Sequence, residues 1–420
     1  MVYYEIIKTL SPVLNILNKH RGGVIMPIRF IDEIDVKGKR VLGRFDFNVP
    51  IKDGEIKDDS RIRAAIPTIK YVIEKGGKLI ACSHMGKPKG KFVKELSLTP
   101  VAKRLSELLN IDVKMAPDCI GDEVLNMVNS MGEGDILLLE NLRFHEGETK
   151  NDKDFSKELA KLGDIYLNDA FGVVHRAHAS VVGVTEFIKD VCGGFLIKKE
   201  VEYLNNYLKN PERPFLLIAG GAKVSTKLGI LHSLLNKVDR VIIGGAMANT
   251  FRKAQGCEVG ESLVEEDLIP DAKNIMDLAK EKKVSFYLPV DYVMGKDVND
   301  LTPMGTYPYQ DVDSKGKILD IGPATLVLFS EVIKDAKTIV WNGPMGAFEN
   351  PTFSQGSFGI AQVVAANEGV KIVGGGDTDN LIHSCKLEDK ITFVSTGGGS
   401  FLEFLEGKQL PGLKALGLYD

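Results

Sequence analysis

The feature that most constrains this chain is a unit that recurs along it: a short apolar run that stops abruptly in polar or glycine residues. Such runs, rich in Val, Ile, Leu and Phe, lie at 40–47, 78–83, 135–140, 164–168, 215–219, 239–243, 285–288, 338–342, 370–373 and 391–395. Runs that are apolar throughout fit strands covered on both faces, as in a parallel sheet. Between them lie stretches of helical period, such as Ile62, Ala65, Ile66 and Ile69, or Leu228, Leu231, Leu234 and Leu235. Strand alternating with helix predicts βαβ units and an α/β fold. A length of 420 residues exceeds one ordinary core, so two domains are expected.

The ends of the runs carry the chemistry. They finish in Asp46-Phe47-Asn48, Ser83-His84, Glu140-Asn141, Asn168-Asp169, Gly220-Gly221, Gly244-Gly245, Asn342-Gly343, Gly374-Gly375-Gly376 and Gly397-Gly398-Gly399. In open α/β sheets ligands sit outside the carboxyl ends of strands, so these ends are expected to line one site. A boundary is expected near 190–213. There Gly193-Gly194 precedes a helical stretch from Phe195 to Leu208, which Asn210-Pro211-Glu212-Arg213-Pro214 stops. That helix is expected to couple two lobes.

Composition narrows the partners. The net charge of −4 provides no global field toward nucleic acid or membrane, so any anion must be held by a local cluster. Five scattered cysteines, none in a Cys-x-x-Cys, argue against a disulfide framework and a zinc site, and fit a reducing interior. No run of 18 apolar residues suggests a membrane span. The first 25 residues read as a short amphipathic helix without the features of a secretory signal. They are expected to be an appendage, or translation to begin at Met26, which mass spectrometry of the native protein would decide.

The two halves differ in chemistry. Nine of the twelve arginines and five of the seven histidines lie before residue 200, whereas 25 of the 43 glycines lie after 210. In the first half, Asp46, Asn48, Arg61, His84, Arg143, His175 and Arg176 fall at or near run ends, Arg61 just past a helix N-cap signal in Asp58-Asp59-Ser60. The planar guanidinium gives two parallel charge-assisted hydrogen bonds to phosphate or carboxylate. Three arginines with one or two histidines around a cleft would hold a small polyanion, and Asp46 and Asn48 its hydroxyls. Taken singly, each arginine also reads as solvated surface charge, and each histidine as packing.

In the second half, Gly220 to Lys227 follows a run and opens a helical stretch that places Lys223 and Lys227 one turn apart on one face. Free N–H groups at a helix start favour phosphate. The pattern is not the G-x-x-x-x-G-K-[ST] loop. Gly374-Gly375-Gly376-Asp377-Thr378 repeats the strand-to-helix design, with Asp377 able to take Mg²⁺ through carboxylate oxygen. Ser395 to Ser400 is a third such loop, and Glu349 is placed to meet ribose hydroxyls. One glycine-rich loop is weak evidence, but three in one half converge on a nucleotide.

These motifs, in order from about residue 36 to 412, resemble the phosphoglycerate kinase family. The resemblance is carried by Arg44 to Pro50, Ser83-His84, Leu139 to Phe144, Asn168 to Gly172, His175 to His178, Gly220 to Lys227, Trp341 to Pro344, Gly374 to Thr378 and Ser395 to Gly399. It implies reversible transfer between 1,3-bisphosphoglycerate with ADP and 3-phosphoglycerate with ATP, as Mg²⁺ complexes. It also implies two Rossmann-like lobes, each a parallel sheet flanked by helices, joined by a hinge helix. On that pattern 1–25 is an extension, 26–194 with the tail 405–420 binds phosphoglycerate, 195–212 is the hinge helix, and 213–404 binds nucleotide. Asp46, Phe47, Asn48, Arg61, His84, Met85, Gly86, Lys87, Arg143, His175 and Arg176 are implied for phosphoglycerate. Lys223, Lys227, Glu349, Gly375, Gly376, Asp377 and Thr378 are implied for nucleotide, with the metal on Asp377. Arg61 and Lys227, with main-chain N–H groups near Gly376 and Gly398, are expected to act on the transferring group. Lys87 stands where the family commonly has arginine, which keeps the charge and loses the fork. The segment 295–320 matches nothing in the pattern. A cytoplasmic enzyme is expected, a monomer with a dimer left open, without nucleic-acid or membrane partners. Two rivals are a dehydrogenase, which lacks its G-x-G-x-x-G with a following acidic residue, and a two-lobed anion-binding protein.

Overall fold

The computed structural model describes residues 28–419. The segment 1–25, read above as an extension, lies outside them. Two six-stranded parallel sheets organise the chain. The first holds β1 (Arg40–Arg44), β4 (Lys78–Cys82), β5 (Val113–Met115), β6 (Ile136–Leu138), β7 (Ile165–Asn168) and β8 (Asp190–Gly193), in the order β5-β6-β4-β1-β7-β8. The second holds β9 (Phe215–Ala219), β10 (Arg240–Ile243), β11 (Ser285–Tyr287), β15 (Thr338–Asn342), β16 (Val370–Gly374) and β17 (Phe393–Ser395), in the order β11-β10-β9-β15-β16-β17. That second order is the doubly wound one, with the chain reversing its direction of travel between β9 and β15, where ligand crevices form. Both central strands of the second sheet are buried along their whole length, which is why they read as unbroken apolar runs.

Several elements were not legible as runs. Strands β5 and β8 are short edge strands with mixed polarity, burying one and two residues respectively. The unmatched segment forms an antiparallel sheet, β13-β12-β14, from β12 (Asp291–Gly295), β13 (Gly305–Pro308) and β14 (Lys317–Ile321). Its alternating and bulged pattern carries no continuous apolar stretch. A two-residue hairpin, β2 (Ile51–Lys52) with β3 (Glu55–Ile56), follows β1. The first run ends at Arg44 rather than 47, so Asp46 to Asn48 leave the sheet. The helix Ser60–Glu74 starts after Asp59, but the Asp59 carboxylate does not cap it. It instead accepts from Arg63 and Arg104 at 2.8 Å, while Asp58 takes the Ser60 amide at 2.9 Å.

The helix Phe195–Lys209 joins β8 to β9. Its start is tied to the first sheet, where Asp169 accepts the Leu196 and Ile197 amides at 2.8 and 3.2 Å. Its middle is tied to the second, where buried Glu200 accepts the Ser395 hydroxyl at 2.8 Å and the Thr396 amide at 2.9 Å. After the helix Gly399–Leu405 the chain returns to the first sheet, where the Gly412 amide donates to the Val174 carbonyl at 2.8 Å. Among the described residues no helix is long and apolar enough to cross a membrane.

Leu217 sits at the centre of β9, fully buried between Val241 and Val340. Leu217→Ala is expected to cost about 2–5 kcal/mol of stability, measured by urea denaturation. A loss below about 1 kcal/mol would mean that this core can collapse around the gap.

Candidate functional site

Four strand ends of the first sheet are stitched into one polar surface. Past β1 the rings of Phe45 and Phe47 are buried and stacked 5.4 Å apart, so alternation leaves Asp46 and Asn48 on the other side. Arg61, from the first turn of its helix, donates to the Asn48 carbonyl at 2.9 Å and reaches Asp46 at 3.3 Å. The Asn48 side chain accepts the Gly86 amide at 2.9 Å, and Arg143 donates to the Gly86 carbonyl at 2.7 Å. Asn141 accepts the Met85 and Arg143 amides, both at 3.1 Å.

Arg143 is 6% exposed, yet its Nε and Nη2 have no hydrogen-bond partner among the described residues. Burial, with Arg176 and Arg44 nearby, pushes its pKa down to about 10. A guanidinium desolvated in this way lacks acceptors that a phosphate or carboxylate would provide. The histidines of the cleft are not cations. Burial and the surrounding Arg44, Arg143 and Arg176 hold His84 well below the usual range. Burial and Arg176 push His175 down to about 4. Both are therefore neutral hydrogen-bonding groups at physiological pH, and the positive charge comes from arginine. Arg176 donates to His175 at 3.2 Å, and His175 meets the Ser400 hydroxyl at 2.7 Å, linking the two halves of the chain.

The other expected residues are less engaged. The Phe47 and Met85 side chains belong to the core, and Lys87 is exposed. Residues missed by the sequence reading lie beneath the patch. Arg44 is fully buried, donating to Ser180 at 3.0 Å and to His84 Nδ1 at 3.1 Å. Buried Glu148 accepts from Ser180 twice. Arg44 opens one of the quoted motifs, but nothing local in the sequence marks Ser180 or Glu148.

In the second sheet the loops after β9, β10 and β15 pack main chain on main chain. The Gly220 amide donates to the Asn342 carbonyl at 2.9 Å, and a Cβ on Gly220 would lie 2.3 Å from the Pro344 carbonyl oxygen. Lys227 is buried here, and its ammonium donates to the Asn342 side chain. Burial lowers its pKa to about 8 against the opposing pull of Asp377. The two lysines do not share a helical face, because the helix begins only at Leu228 and Lys223 is extended and exposed. Thr378 is buried, its hydroxyl accepting the Gly343 amide at 2.7 Å, so it braces the loop. Asp377 is exposed in the first turn of the helix Gly376–Ser384, with no hydrogen-bond partner among the described residues. Glu349 is exposed in the turn beyond β15. A Cβ on Gly376 or Gly398 would meet nothing within 4 Å, so the space before both helix starts is open to a ligand.

The two surfaces face each other. Asp379, on the helix that Gly376 opens, feels the charges of Asp58 and Arg61 from the first lobe. The comparisons with known proteins agree with the fold. The family model for phosphoglycerate kinase matches residues 31–408. The chain belongs to the phosphoglycerate kinase family. A phosphoglycerate kinase of Maridesulfovibrio salexigens is 55% identical over 394 residues, 93% of this chain and 99% of that one. One of Geobacter metallireducens is 52% identical over 393 residues, again 93% and 99%. Among solved structures, the phosphoglycerate kinase of Coxiella burnetii superposes with a TM-score of 0.84 at 42% identity, covering 93% of this chain and 99% of that one. That of Pyrococcus horikoshii gives 0.78 at 31% identity, covering 93% and 98%.

The Lys227 amine lends itself to a linkage test. A nucleotide phosphate beside it favours the charged form, so binding raises its pKa and takes up protons where the free amine is partly neutral. Calorimetry in buffers of different ionisation enthalpy is expected to show uptake of a fraction of a proton per ADP at about pH 8.5 and close to none at about pH 6.5. Equal uptake at both values would show that Lys227 is not the linked group.

Proposed function

We propose that this chain reversibly transfers a phosphoryl group from 1,3-bisphosphoglycerate to ADP, giving 3-phosphoglycerate and ATP. The observation that carries the reading is Arg143, buried with two donor nitrogens lacking acceptors among the described residues, in a lobe whose Arg61 charge reaches Asp379 on the helix that Gly376 opens. One side supplies cations for a phosphorylated acid, and the other supplies main-chain N–H groups for a nucleotide phosphate. The first lobe, 26–194 with the tail 405–420, takes the phosphoglycerate through Asp46, Asn48, Arg61, His84, Gly86, Arg143, His175 and Arg176. The second, 213–404, takes the nucleotide through Lys223, Lys227, Glu349, Gly375, Gly376, Asp377 and Thr378. The segment 195–212, which holds the helix Phe195–Lys209, is the hinge.

A β-phosphate oxygen of ADP attacks the acyl phosphate phosphorus, and the bond from phosphorus to the acyl oxygen breaks. The leaving group is a carboxylate, already a weak base, so no proton need move. The protein's work is therefore alignment and charge neutralisation. Arg61 and Lys227 approach the transferring group from opposite lobes, with N–H groups near Gly376 and Gly398 beside it. Asp377, exposed and with no side-chain hydrogen-bond partner among the described residues, fits a magnesium ion, a hard cation that takes carboxylate and phosphate oxygens. Bound there with the nucleotide, Mg²⁺ neutralises phosphate charge. Bringing the lobes together excludes water that would hydrolyse the acyl phosphate. The enzyme's proposed setting is the cytoplasm.

Mixing the protein with Mg²⁺, ADP and 1,3-bisphosphoglycerate is expected to produce ATP, and no ATP would refute the reading. Arg61→Ala is expected to lower kcat by about a hundredfold, roughly 3 kcal/mol in the barrier. Near-normal turnover with only a raised KM would assign Arg61 to binding alone.

A further inference from the structure

Beneath the cationic surface lies one fully buried carboxylate, Glu148, on the short helix Glu146–Lys150. Burying an anion is costly unless it is paired and hydrogen-bonded. Glu148 is both. It accepts the Ser180 amide at 2.9 Å and the Ser180 hydroxyl at 2.8 Å, and His178 Nδ1 lies 3.5 Å away. Despite burial, His178, Arg44 and Ser180 hold it below the usual carboxylate range, so it stays ionised.

The directions of the hydrogen bonds above it follow from what each group is able to do. An ionised carboxylate only accepts, so the Ser180 hydroxyl donates to Glu148 and offers its lone pairs to the Arg44 Nε at 3.0 Å. A guanidinium only donates, so Arg44 Nη2, 3.1 Å from His84 Nδ1, makes that ring nitrogen an acceptor. The neutral His84 ring then carries its proton on Nε2, which has no partner among the described residues. Tyr166 anchors the relay from below, its hydroxyl donating to the Ser180 carbonyl at 2.6 Å. Arg44 is itself fully buried, so it acts through His84 rather than on a ligand.

We infer that Glu148 is a positioning residue, which through Ser180 and Arg44 fixes His84 as the tautomer with its proton on Nε2, presenting an N–H donor to the anionic substrate. This rests on the reading of the first lobe as the phosphoglycerate site. The relay explains why the patch contains a histidine that is not a cation. Surrounded by Arg44, Arg143 and Arg176, His84 is kept neutral, and Asp46 Oδ1 lies 4.0 Å from Nδ1, so without the relay that nitrogen would be free to carry the proton toward Asp46.

Long-range ¹⁵N–¹H NMR of the His84 ring tests this on the full-length protein. The unaltered enzyme is expected to show protonated Nε2 and bare Nδ1 near neutral pH. Ser180→Ala removes the link while leaving Glu148 in place, and Glu148→Gln removes the charge at the same shape. Both are expected to mix the tautomers and to weaken 3-phosphoglycerate binding by roughly tenfold or more, with ADP affinity unchanged as the sign of an intact fold. If Glu148→Gln does not fold, Ser180→Ala carries the test. A proton on Nδ1 in the unaltered enzyme would overturn the inference. So would an unchanged tautomer in a folded Ser180→Ala protein. A His84 ring that 3-phosphoglycerate leaves unmoved would remove the substrate site itself, and the tautomer result would still decide the relay.

Discussion

Two buried carboxylates hold the helix Phe195–Lys209 to both sheets, and the facing of the two binding surfaces depends on that attachment. Asp169 leaves the end of β7 and accepts the first amides of the helix, at the positive end of a helix dipole, although burial raises its pKa to about 7. One turn on, Glu200 takes the hydroxyl of Ser395 at the end of β17 and the amide of Thr396. A Cβ on Gly194 would lie 2.3 Å from the Asp169 carboxylate, so that approach requires glycine. Because each carboxylate grips a strand end, the helix connects the two carboxyl edges of the sheets, and those edges carry the polar loops. The Tyr203 ring stacked on Phe393 at 4.7 Å adds an apolar contact on the same side.

That arrangement addresses the main difficulty of the chemistry, which is bringing two polyanions together. The first lobe concentrates arginine without filling the site with acid. Its counter-charge, Glu148, is placed underneath, hydrogen-bonded to Ser180, and leaves the Arg143 donors unused. The second lobe uses few charges. It offers open helix starts at Gly376 and Gly398 and the buried Lys227. Cations on one side and main-chain dipoles on the other suit a phosphate held between them.

Much of this was legible in the chain. Fully buried parallel strands such as Phe215–Ala219 and Thr338–Asn342 read directly as apolar runs. Short edge strands such as Val113–Met115 bury too little to leave a pattern. The antiparallel strands of 291–321 alternate and bulge, so no run reveals them. Lys223 and Lys227 were misread because a turn at Val224–Thr226 separates them, which periodicity does not register. Ser180 and Glu148 were invisible because their role arises only where a short helix and a loop distant in sequence meet. The neutrality of His84 and His175 likewise depends on burial beside arginine, a property of the folded surroundings.

If the lobes carry one substrate each and the hinge helix brings them together, compaction should require both ligands. Small-angle X-ray scattering measures this directly. The radius of gyration is expected to fall when 3-phosphoglycerate and Mg-ATP are both present, and to change little with either alone. An unchanged radius with both bound, at concentrations shown by calorimetry to saturate the protein, would contradict the account.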